Sequence, residues 1–388
     1  MSTMNLFYIL IYAENFMCIY RNFFSLTKNQ KIIAITRIIV ELSLSIAITV
    51  NNVILSDFVD FDYSDKDKLM TDILQFLTLF KSLVIVIGGV VTAEAFSRFT
   101  DNLRKLHNCF KDNEYYENAA KNLRVKCLVG FVVFTVMGVI LLLVRLIDWY
   151  SLETYLLREI IILVVHELWV DIRYTLEHLV VYCAITTTYN YLKCLSIAVN
   201  DVLKRYNEQD NTESSSDGNE DIVDLPKKVN YWTEKYQNIM ACCKNISLCY
   251  QELLLFSVAV AMVQCIYSMY GIFNAIIKKD VQRRLGTSNI VYSLIYHMSA
   301  TITLLFAGQK LQNEFNSFNK ALALLACEVS SHHAKSETRQ LKDLNRLVTT
   351  NPIVIKFSTF SLGMYLFPMM LSLSATYIVV MLQFNHVI

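Results

Sequence analysis

The sequence predicts an all-α fold, that of a polytopic membrane protein with seven transmembrane helices. Of its 388 residues, 54% are hydrophobic and 18% are charged, whereas soluble domains average about 25% charged residues. The apolar residues also lie in seven continuous runs, each as long as the roughly 20 residues that a helix needs to cross a hydrocarbon core. Because the runs are continuous rather than alternating, they favour helices over the strands of a membrane β-barrel. The net charge of +1 argues against a nucleic-acid partner, which a strongly basic chain would indicate.

The seven runs set the expected order of the helices. The fourth, fifth and seventh runs have 37, 32 and 32 residues, so we expect them to tilt, to break or to extend into water. Pro368 should interrupt the seventh run and leave a shorter final helix, Met369–Phe384. The runs are Ile32–Leu55, Leu69–Phe96, Val125–Ile147, Tyr155–Tyr191, Ile246–Ile277, Thr287–Gly308 and Ile353–Phe384.

The distribution of Lys and Arg predicts a cytoplasmic N-terminus and an extracellular C-terminus. With this orientation the inner segments carry 23 basic residues and the outer segments carry 8, as the positive-inside rule requires. The outer loop 278–286, which holds four of the 8, is the exception. Residues 1–31 are interpreted as a cytoplasmic lead-in, because no basic residue precedes their short apolar stretch as it would in a secretory signal.

No motif in the sequence indicates an enzyme or a cofactor. There is no Gly-rich phosphate loop, no His-Glu-x-x-His zinc motif and no nucleophile elbow. Cys242, Cys243 and Cys249 lie close together, but no His is near them and their spacing fits no zinc site. We therefore expect no cofactor and no metal, and the remaining classes are receptor, channel and transporter.

The last run carries a narrow polar stripe. On a helix that turns about 100° per residue, Ser372, Thr376 and Gln383 fall within an arc of about 40°, with Val380 alongside. Such a stripe should face protein or water rather than lipid. The spacing alone leaves two interpretations open: hydrogen bonds to a packed neighbouring helix, or the wall of a pore.

The residues Thr376 to Phe384 resemble the signature of the insect gustatory receptors. That signature is a Thr-Tyr pair, five apolar residues and Gln-Phe, placed at the end of the last helix, and all four fixed positions match here. The layout of the chain agrees, with seven runs and a very short outer tail.

The resemblance implies a tetrameric ligand-gated cation channel in the plasma membrane of sensory neurons. Four copies of the second half of the last helix would line the pore, and cytosolic helix extensions would join the subunits. The implied partners are a small-molecule tastant, permeant cations, membrane lipids, and further copies of this chain or other gustatory receptors in a heteromer. A ring of Phe384 side chains is the expected gate, and Tyr377 is expected to pack against the neighbouring subunit. The pore and gate candidates are Ser372, Thr376, Tyr377, Val380, Gln383 and Phe384.

Ionisable and aromatic residues in the outer to middle part of the fourth to sixth runs predict a ligand pocket. Charged groups inside a span are costly and are functional candidates by default. Arg173 and Glu177 are four residues apart, so they form either an intrahelical ion pair or further ligand contacts. The ligand-binding candidates are His166, Glu167, Trp169, Asp171, Tyr174, Gln264, Tyr267, Tyr270, Asn274, Tyr292, Tyr296 and His297.

The ligand is expected to be a bitter or other non-sugar compound. Sugar-sensing members of the family tend to carry an acidic residue directly after the Thr-Tyr pair, and Ile378 stands there in this chain. Several aromatics and at least two acids would hold an amphipathic or nitrogen-bearing plant compound by stacking and cation attraction. The same groups could bind a monosaccharide, which is the alternative.

Two other classes share the seven-span layout. A G-protein-coupled receptor would need the opposite orientation and a cytoplasmic tail, which four residues after Phe384 cannot form. A secondary transporter would need a second broken helix to match the one at Gly363 and Pro368.

These expectations divide the chain into six parts and one internal loop. They are the lead-in 1–31, helices 1–4 with the ligand pocket in 32–191, cytosolic helical extensions in 192–248 with a disordered acidic loop 207–224, helices 5–6 in 249–308, cytosolic anchor helices in 309–352, and a split pore-lining helix in 353–384.

Overall fold

The computed structural model describes residues 3–58, 65–110, 113–150, 157–210, 225–278, 281–332 and 335–384. Within these ranges the chain is helical apart from short turns and one two-stranded hairpin. The helices are α1 Thr3–Phe16, α2 Lys28–Phe58, α3 Asp65–Val91, α4 Ala93–Phe110, α5 Glu114–Tyr150, α6 Leu157–Asp210, α7 Leu225–Lys278, α8 Val281–His332, α9 Lys335–Thr350 and α10 Leu366–Phe384. The all-α membrane fold predicted from the sequence is confirmed, and the orientation of the termini stays a prediction.

The three longest helices are much longer than the thickness of a bilayer. Helices α6 and α7 have 54 residues each and α8 has 52. At 1.5 Å per residue a helix of this length spans about 80 Å, whereas the hydrocarbon core is about 30 Å thick. The fourth and fifth runs therefore do not break but continue as helices much longer than a membrane span, and α9 packs against α7 and α8; extension of these helices into water stays a prediction.

Four described helical segments are long and apolar enough to cross a membrane, and the bent α3–α4 pair would make a fifth. The spans in α2 and α5 have 17% of their residues buried, against 56% in α7 and 50% in α8. Apolar side chains on α2 and α5 therefore face outward, as a lipid contact requires. The two other predicted spans correspond to α6, whose apolar run is interrupted by charges, and to α10, which has 19 residues.

The second predicted span does not continue straight to Phe96. The chain bends by 62° between α3 and α4, at Thr92. Helix α4 is amphipathic, since Phe96, Phe99, Leu103 and Leu106 are buried at intervals of three and four residues. The bend lets this apolar face pack against α7 instead of lipid.

The seventh predicted run is wrong in its first half. Residues 351–365 are not helical, and Lys356–Phe357 pairs with Phe360–Ser361 in a small antiparallel hairpin, β1 and β2. The run is apolar because Ile353, Ile355 and Phe357 are buried against the long helices, with exposures of 1% or less. Pro368 does not split a helix but stands in the first turn of α10, where its missing N–H would have no helical partner.

The predicted acidic loop begins later than expected. Helix α6 continues through residues 207–210, and the rest of the loop, 211–224, lies outside the described residues. The lead-in contains α1, and α2 begins with a capping box in which Thr27 and Gln30 bond reciprocally through backbone N–H and side-chain oxygen.

The core lies where α6 packs against α5 and α8. It continues into the helical extensions through side chains such as Tyr191, Tyr236 and Phe318, which are fully buried. The core thus holds the middle of α6 in a fixed position relative to its neighbours.

Candidate functional site

The last helix presents its polar stripe uncovered. Ser372, Thr376 and Gln383 are all exposed, and the Thr376 hydroxyl donates to the Ser372 carbonyl at 3.0 Å. Val380 is 39% exposed and Tyr377 53%. In the described part of the chain, nothing packs over this face.

The opposite face of α10 attaches it to the rest of the chain. Met370, Ser374 and Ile378 follow one another at intervals of four residues and are buried, with exposures of 3%, 1% and 5%. This face packs against α7. Helix α10 is therefore held by one side only, and its other sides are left to lipid, to water or to another chain.

Phe384 is the last residue of α10. Its side chain lies outside the described residues, so its role as the gate stays a prediction.

The candidate ligand residues of α6 are brought into contact with α2 and α3. His166 bonds the Ser45 hydroxyl at 3.2 Å, and the Trp169 indole donates to Glu41 at 3.1 Å. Asp171 accepts from Lys81 at 2.7 Å. Helices α2 and α3 thus converge on the first half of α6.

Three further candidates meet in the contact between α6 and α8. The Tyr174 ring lies 4.0 Å from the ring of His178 and 5.4 Å, edge to face, from that of His297. The Tyr296 hydroxyl donates to the Asp171 carbonyl at 2.9 Å. Aromatic and imidazole rings therefore line this junction.

The remaining ligand-binding candidates differ in how deeply they are buried. The Gln264 amide donates to Ser293 at 2.9 Å between α7 and α8, and Tyr270 is buried on α7. Tyr292, one turn before the buried Tyr296, is 44% exposed at the surface of α8, and its ligand role stays a prediction. Glu167 and Tyr267 are half-buried, and the side chain of Asn274 lies outside the described residues.

The charges in this region are already paired. Lys81 forms a buried ion pair with Asp171 and also lies 4.1 Å from the centre of the Tyr174 ring. Arg173 does not pair with Glu177, four residues further on, but with Glu41. Because Lys81 offsets the charge of Asp171, this carboxylate alone would attract a ligand cation only weakly, and the predicted cation attraction stays a prediction.

Sequence reasoning missed Lys81 and Glu41, which supply these opposite charges. Each is a charge inside an apolar run, and that was the available signal, because such a residue is expected to be paired. The sequence does not indicate the partners, because Asp171 lies 90 residues from Lys81 and Arg173 lies 132 residues from Glu41.

Neutral polar groups beside this pair have unused hydrogen-bonding capacity. The Tyr174 hydroxyl lies next to the hydroxyls of Ser257 and Thr301, where α6, α7 and α8 meet. Among the described residues, these three oxygens and His178 Nε2 are buried without a hydrogen bond of normal geometry. Buried polar groups normally have partners, so this junction suits water or the polar group of a neutral ligand.

No group of three or more His, Cys, Asp or Glu side chains in the described ranges could hold a metal ion. In the predicted cytosolic extensions, burial raises the pKa of the Cys194 thiol and of the Cys242 thiol to about 12. Such thiols stay protonated and are poor metal ligands.

The fold and these features define a polytopic helical membrane protein with a paired buried charge network and an uncovered last helix. A sequence profile of the 7tm chemosensory receptor family matches residues 3–387. The chain therefore belongs to this family of insect odorant and gustatory receptors, which is a family of receptors and ion channels rather than of enzymes. The predicted resemblance to insect chemosensory receptors is confirmed.

Two solved structures share the fold. The insect olfactory receptor OR5 from Machilis hrabei in complex with eugenol is 13% identical, with 92% of this chain and 91% of that chain covered and a TM-score of 0.64. The structure of the same receptor without a named ligand is also 13% identical, with coverage of 92% and 90% and a TM-score of 0.60. The comparison with curated protein sequences returns no match.

Proposed function

We propose that this chain is a gustatory receptor that forms a tetrameric ligand-gated cation channel and is opened by a small organic, non-sugar tastant. The observation that carries the proposal is the uncovered polar stripe of α10, which coincides with the Thr-Tyr and Gln-Phe signature. A helix held by one face only, with Ser372, Thr376 and Gln383 on its free side, has the form of one wall of a pore. Further copies of this chain, or of another gustatory receptor, would complete the pore in the plasma membrane of a sensory neuron.

The paired charges bear on the class of ligand. Because Lys81 offsets the charge of Asp171, a ligand at the junction of α6 with α8 would interact mainly by stacking on aromatic rings and by hydrogen bonds to uncharged polar groups. A neutral compound with an apolar or aromatic body and one or two hydrogen-bonding groups fits these groups. The related olfactory receptor was solved in complex with eugenol, which supports a small organic ligand.

Ligand binding opens the channel only if the open conformation binds more tightly than the closed one. The experiment is expression in non-neuronal cells with G-protein signalling blocked, followed by calcium imaging across alkaloids, glycosides and sugars. We expect responses to non-sugar compounds that persist under the block. Responses to sugars alone would overturn the ligand class, and loss of every response under the block would favour a G-protein-coupled receptor instead.

The pocket location is tested on one helix with a matched pair of variants. Tyr296→Phe removes a buried hydroxyl at the α6–α8 junction, whereas Tyr292→Phe removes an exposed hydroxyl one turn away. We expect Tyr296→Phe to shift the concentration response of the activating compound and Tyr292→Phe to leave it unchanged. An unchanged response in both variants, at normal surface expression, would contradict this location.

The gate is tested by Phe384→Ala, which is expected to raise the ligand-free current severalfold. Four phenyl rings at the end of the pore would exclude water, and alanine is too small to do so. The measurement is whole-cell current at matched surface expression, with Leu371→Ala as the control, since Leu371 is exposed and lies about 140° from Thr376 around the helix. A basal current equal to that of the wild type would contradict the gate assignment.

A further inference from the structure

Arg21 is buried at a junction between the N-terminal segment and three other parts of the chain. Its Nε donates to Glu14 Oε1 of α1 at 3.1 Å, and its two terminal nitrogens donate to Glu177 of α6 and to Thr92 at the α3–α4 bend. The guanidinium carbon lies 4.4 Å from the centre of the Tyr250 ring of α7. The side chain of Arg21 is 3% exposed, and those of Glu14 and Glu177 are 0% exposed.

The chain reverses sharply to bring Arg21 back beside Glu14. Cys18 adopts a left-handed conformation with φ 63°, and the Ile19 N–H donates to the Glu14 carbonyl at 2.8 Å. Helix α3 approaches this turn so closely that a Cβ on Gly89 would lie 2.9 Å from the Ile19 side chain. The N-terminal segment, residues 3–27, is thus docked tightly on the bundle.

The charges of this junction do not balance. Two buried carboxylates face one guanidinium. Of the other charged or titratable groups around them, Arg173 is paired with Glu41, and the Tyr250 phenol and the Cys249 thiol are neutral when protonated. An uncompensated charge in such a place is strongly destabilising, so the site must be neutralised.

The hydrogen bonds are incomplete in the same place. Among the described residues, Glu14 Oε2, Glu177 Oε1 and the Tyr250 hydroxyl are buried without a partner. A carboxylate only accepts hydrogen bonds, so a proton on either carboxyl would supply both the missing charge and a donor. The charge imbalance and the missing hydrogen bonds therefore both indicate one bound proton at this junction.

We propose that Glu14 and Glu177 form a binding site for one exchangeable proton, which holds residues 3–27 against the bundle. When the proton leaves, two carboxylates remain beside one guanidinium, and the docked segment is destabilised. The site is independent of any ligand and of the pore, and it would sense the pH on whichever side of the membrane the N-terminus occupies.

The direction of the pH dependence follows from the burial of Glu14. Burial raises the pKa of Glu14 to about 8, with Arg21 opposing the shift and Glu177 adding to it. A carboxyl whose pKa is raised on docking favours the docked state at low pH, and this contribution is lost as the pH rises through the raised value. Alkaline conditions should therefore loosen the segment.

The test uses the full-length protein in lipid nanodiscs. We expect hydrogen–deuterium exchange, corrected for the intrinsic exchange rate, to show about tenfold less protection in residues 3–27 at about pH 9.5 than at about pH 6. Glu14→Gln and Glu177→Gln each leave one carboxylate for Arg21, so either variant should lose this pH dependence. The double variant leaves Arg21 with neither carboxylate and should lose the protection at both pH values.

The control is Glu94→Gln on α4, since Glu94 is 62% exposed and pairs with Arg98 away from the junction. It should keep the pH dependence of the wild type. Infrared spectroscopy provides a second readout: the band of a protonated carboxyl should be weaker in Glu14→Gln and in Glu177→Gln, but not in Glu94→Gln. Equal protection of the wild type at both pH values, or an unchanged pH dependence in both single Gln variants, would overturn the proposal.

Discussion

Gly308→Ala is expected to prevent most of the protein from reaching the cell surface. A Cβ at this position would lie 2.5 Å from the Leu362 carbonyl oxygen and 2.7 Å from Leu362 Cγ, closer than such atoms approach in folded proteins. Leu362 cannot easily yield, because its carbonyl accepts from Gln312 at 2.9 Å and the nearby Met364 N–H donates to Gln309 at 3.2 Å. Overpacking typically costs about 1–3 kcal/mol, and a contact with backbone belongs at the upper end.

The matched control for this substitution is Gly130→Ala in α5. No atom lies within 4 Å of a Cβ built there, and both glycines are in helix interiors, where alanine gains about 1 kcal/mol in helix propensity. The difference between the two variants in thermal unfolding and in surface expression therefore isolates the contact with Leu362. If Gly308→Ala is as stable as Gly130→Ala, the close packing of α8 against the segment that leads to α10 is wrong.

Asp171→Ala is expected to destabilise the folded protein by about 3–5 kcal/mol. It removes the carboxylate 2.7 Å from Lys81, whose side chain is 5% exposed, and leaves a buried ammonium without its counter-charge. Replacing both partners with apolar residues, in Lys81→Met with Asp171→Leu, should restore most of the stability. The measurement is the thermal unfolding midpoint of the purified protein.

The comparison for this ion pair is Glu117→Ala, which breaks an exposed pair with Lys121 and should cost less than about 1 kcal/mol. An effect of Asp171→Ala no larger than that of Glu117→Ala would contradict the buried pair. If the expectation holds, a lost tastant response in Asp171→Ala reports on folding, and Tyr296→Phe is the better probe of ligand contact.

The long helices could be predicted because the length of a continuous helical pattern in the sequence indicates the length of the helix. The apolar runs in α6 and α7 continue into segments that mix apolar and basic residues at helical spacing, so helices longer than a membrane span follow from period and length alone. The signature at the end of α10 likewise predicted the family before any packing was known.

The segment 353–365 could not be predicted in the same way. An apolar run indicates burial but not conformation, and here Ile353 and Ile355 are buried by contact with helices rather than by lipid. The backbone polar groups of this segment find side-chain partners, as when the Lys356 N–H donates to Ser247 at 3.0 Å. Ser247 is 109 residues away from Lys356 in sequence, so only the fold reveals this partner.

The sequence indicated which ring-bearing residues of α6 and of α8 share a helical face, because helical spacing fixes this, but it did not indicate how the nearby charges are paired. Neutralisation by Lys81 depends on how α3 packs against α6, which no local pattern specifies. The same limit applies to Arg21, which lies outside every apolar run and yet is buried.

Whether α10 lines a pore is tested most directly by measuring, during current recording, how accessible cysteines introduced on this helix are to a thiol reagent. Thr376→Cys and Ile378→Cys are made in a background with the exposed Cys109 and Cys327 replaced by Ser. The two positions are about 200° apart on the helix, and Ile378 is 5% exposed. With G-protein signalling blocked, and with a compound from the alkaloid, glycoside and sugar panel that activates the cells, a positively charged methanethiosulfonate reagent is applied. We expect it to block the current of Thr376→Cys and to leave that of Ile378→Cys unchanged. Equal insensitivity of both variants, or no current at all under the block, would contradict the channel.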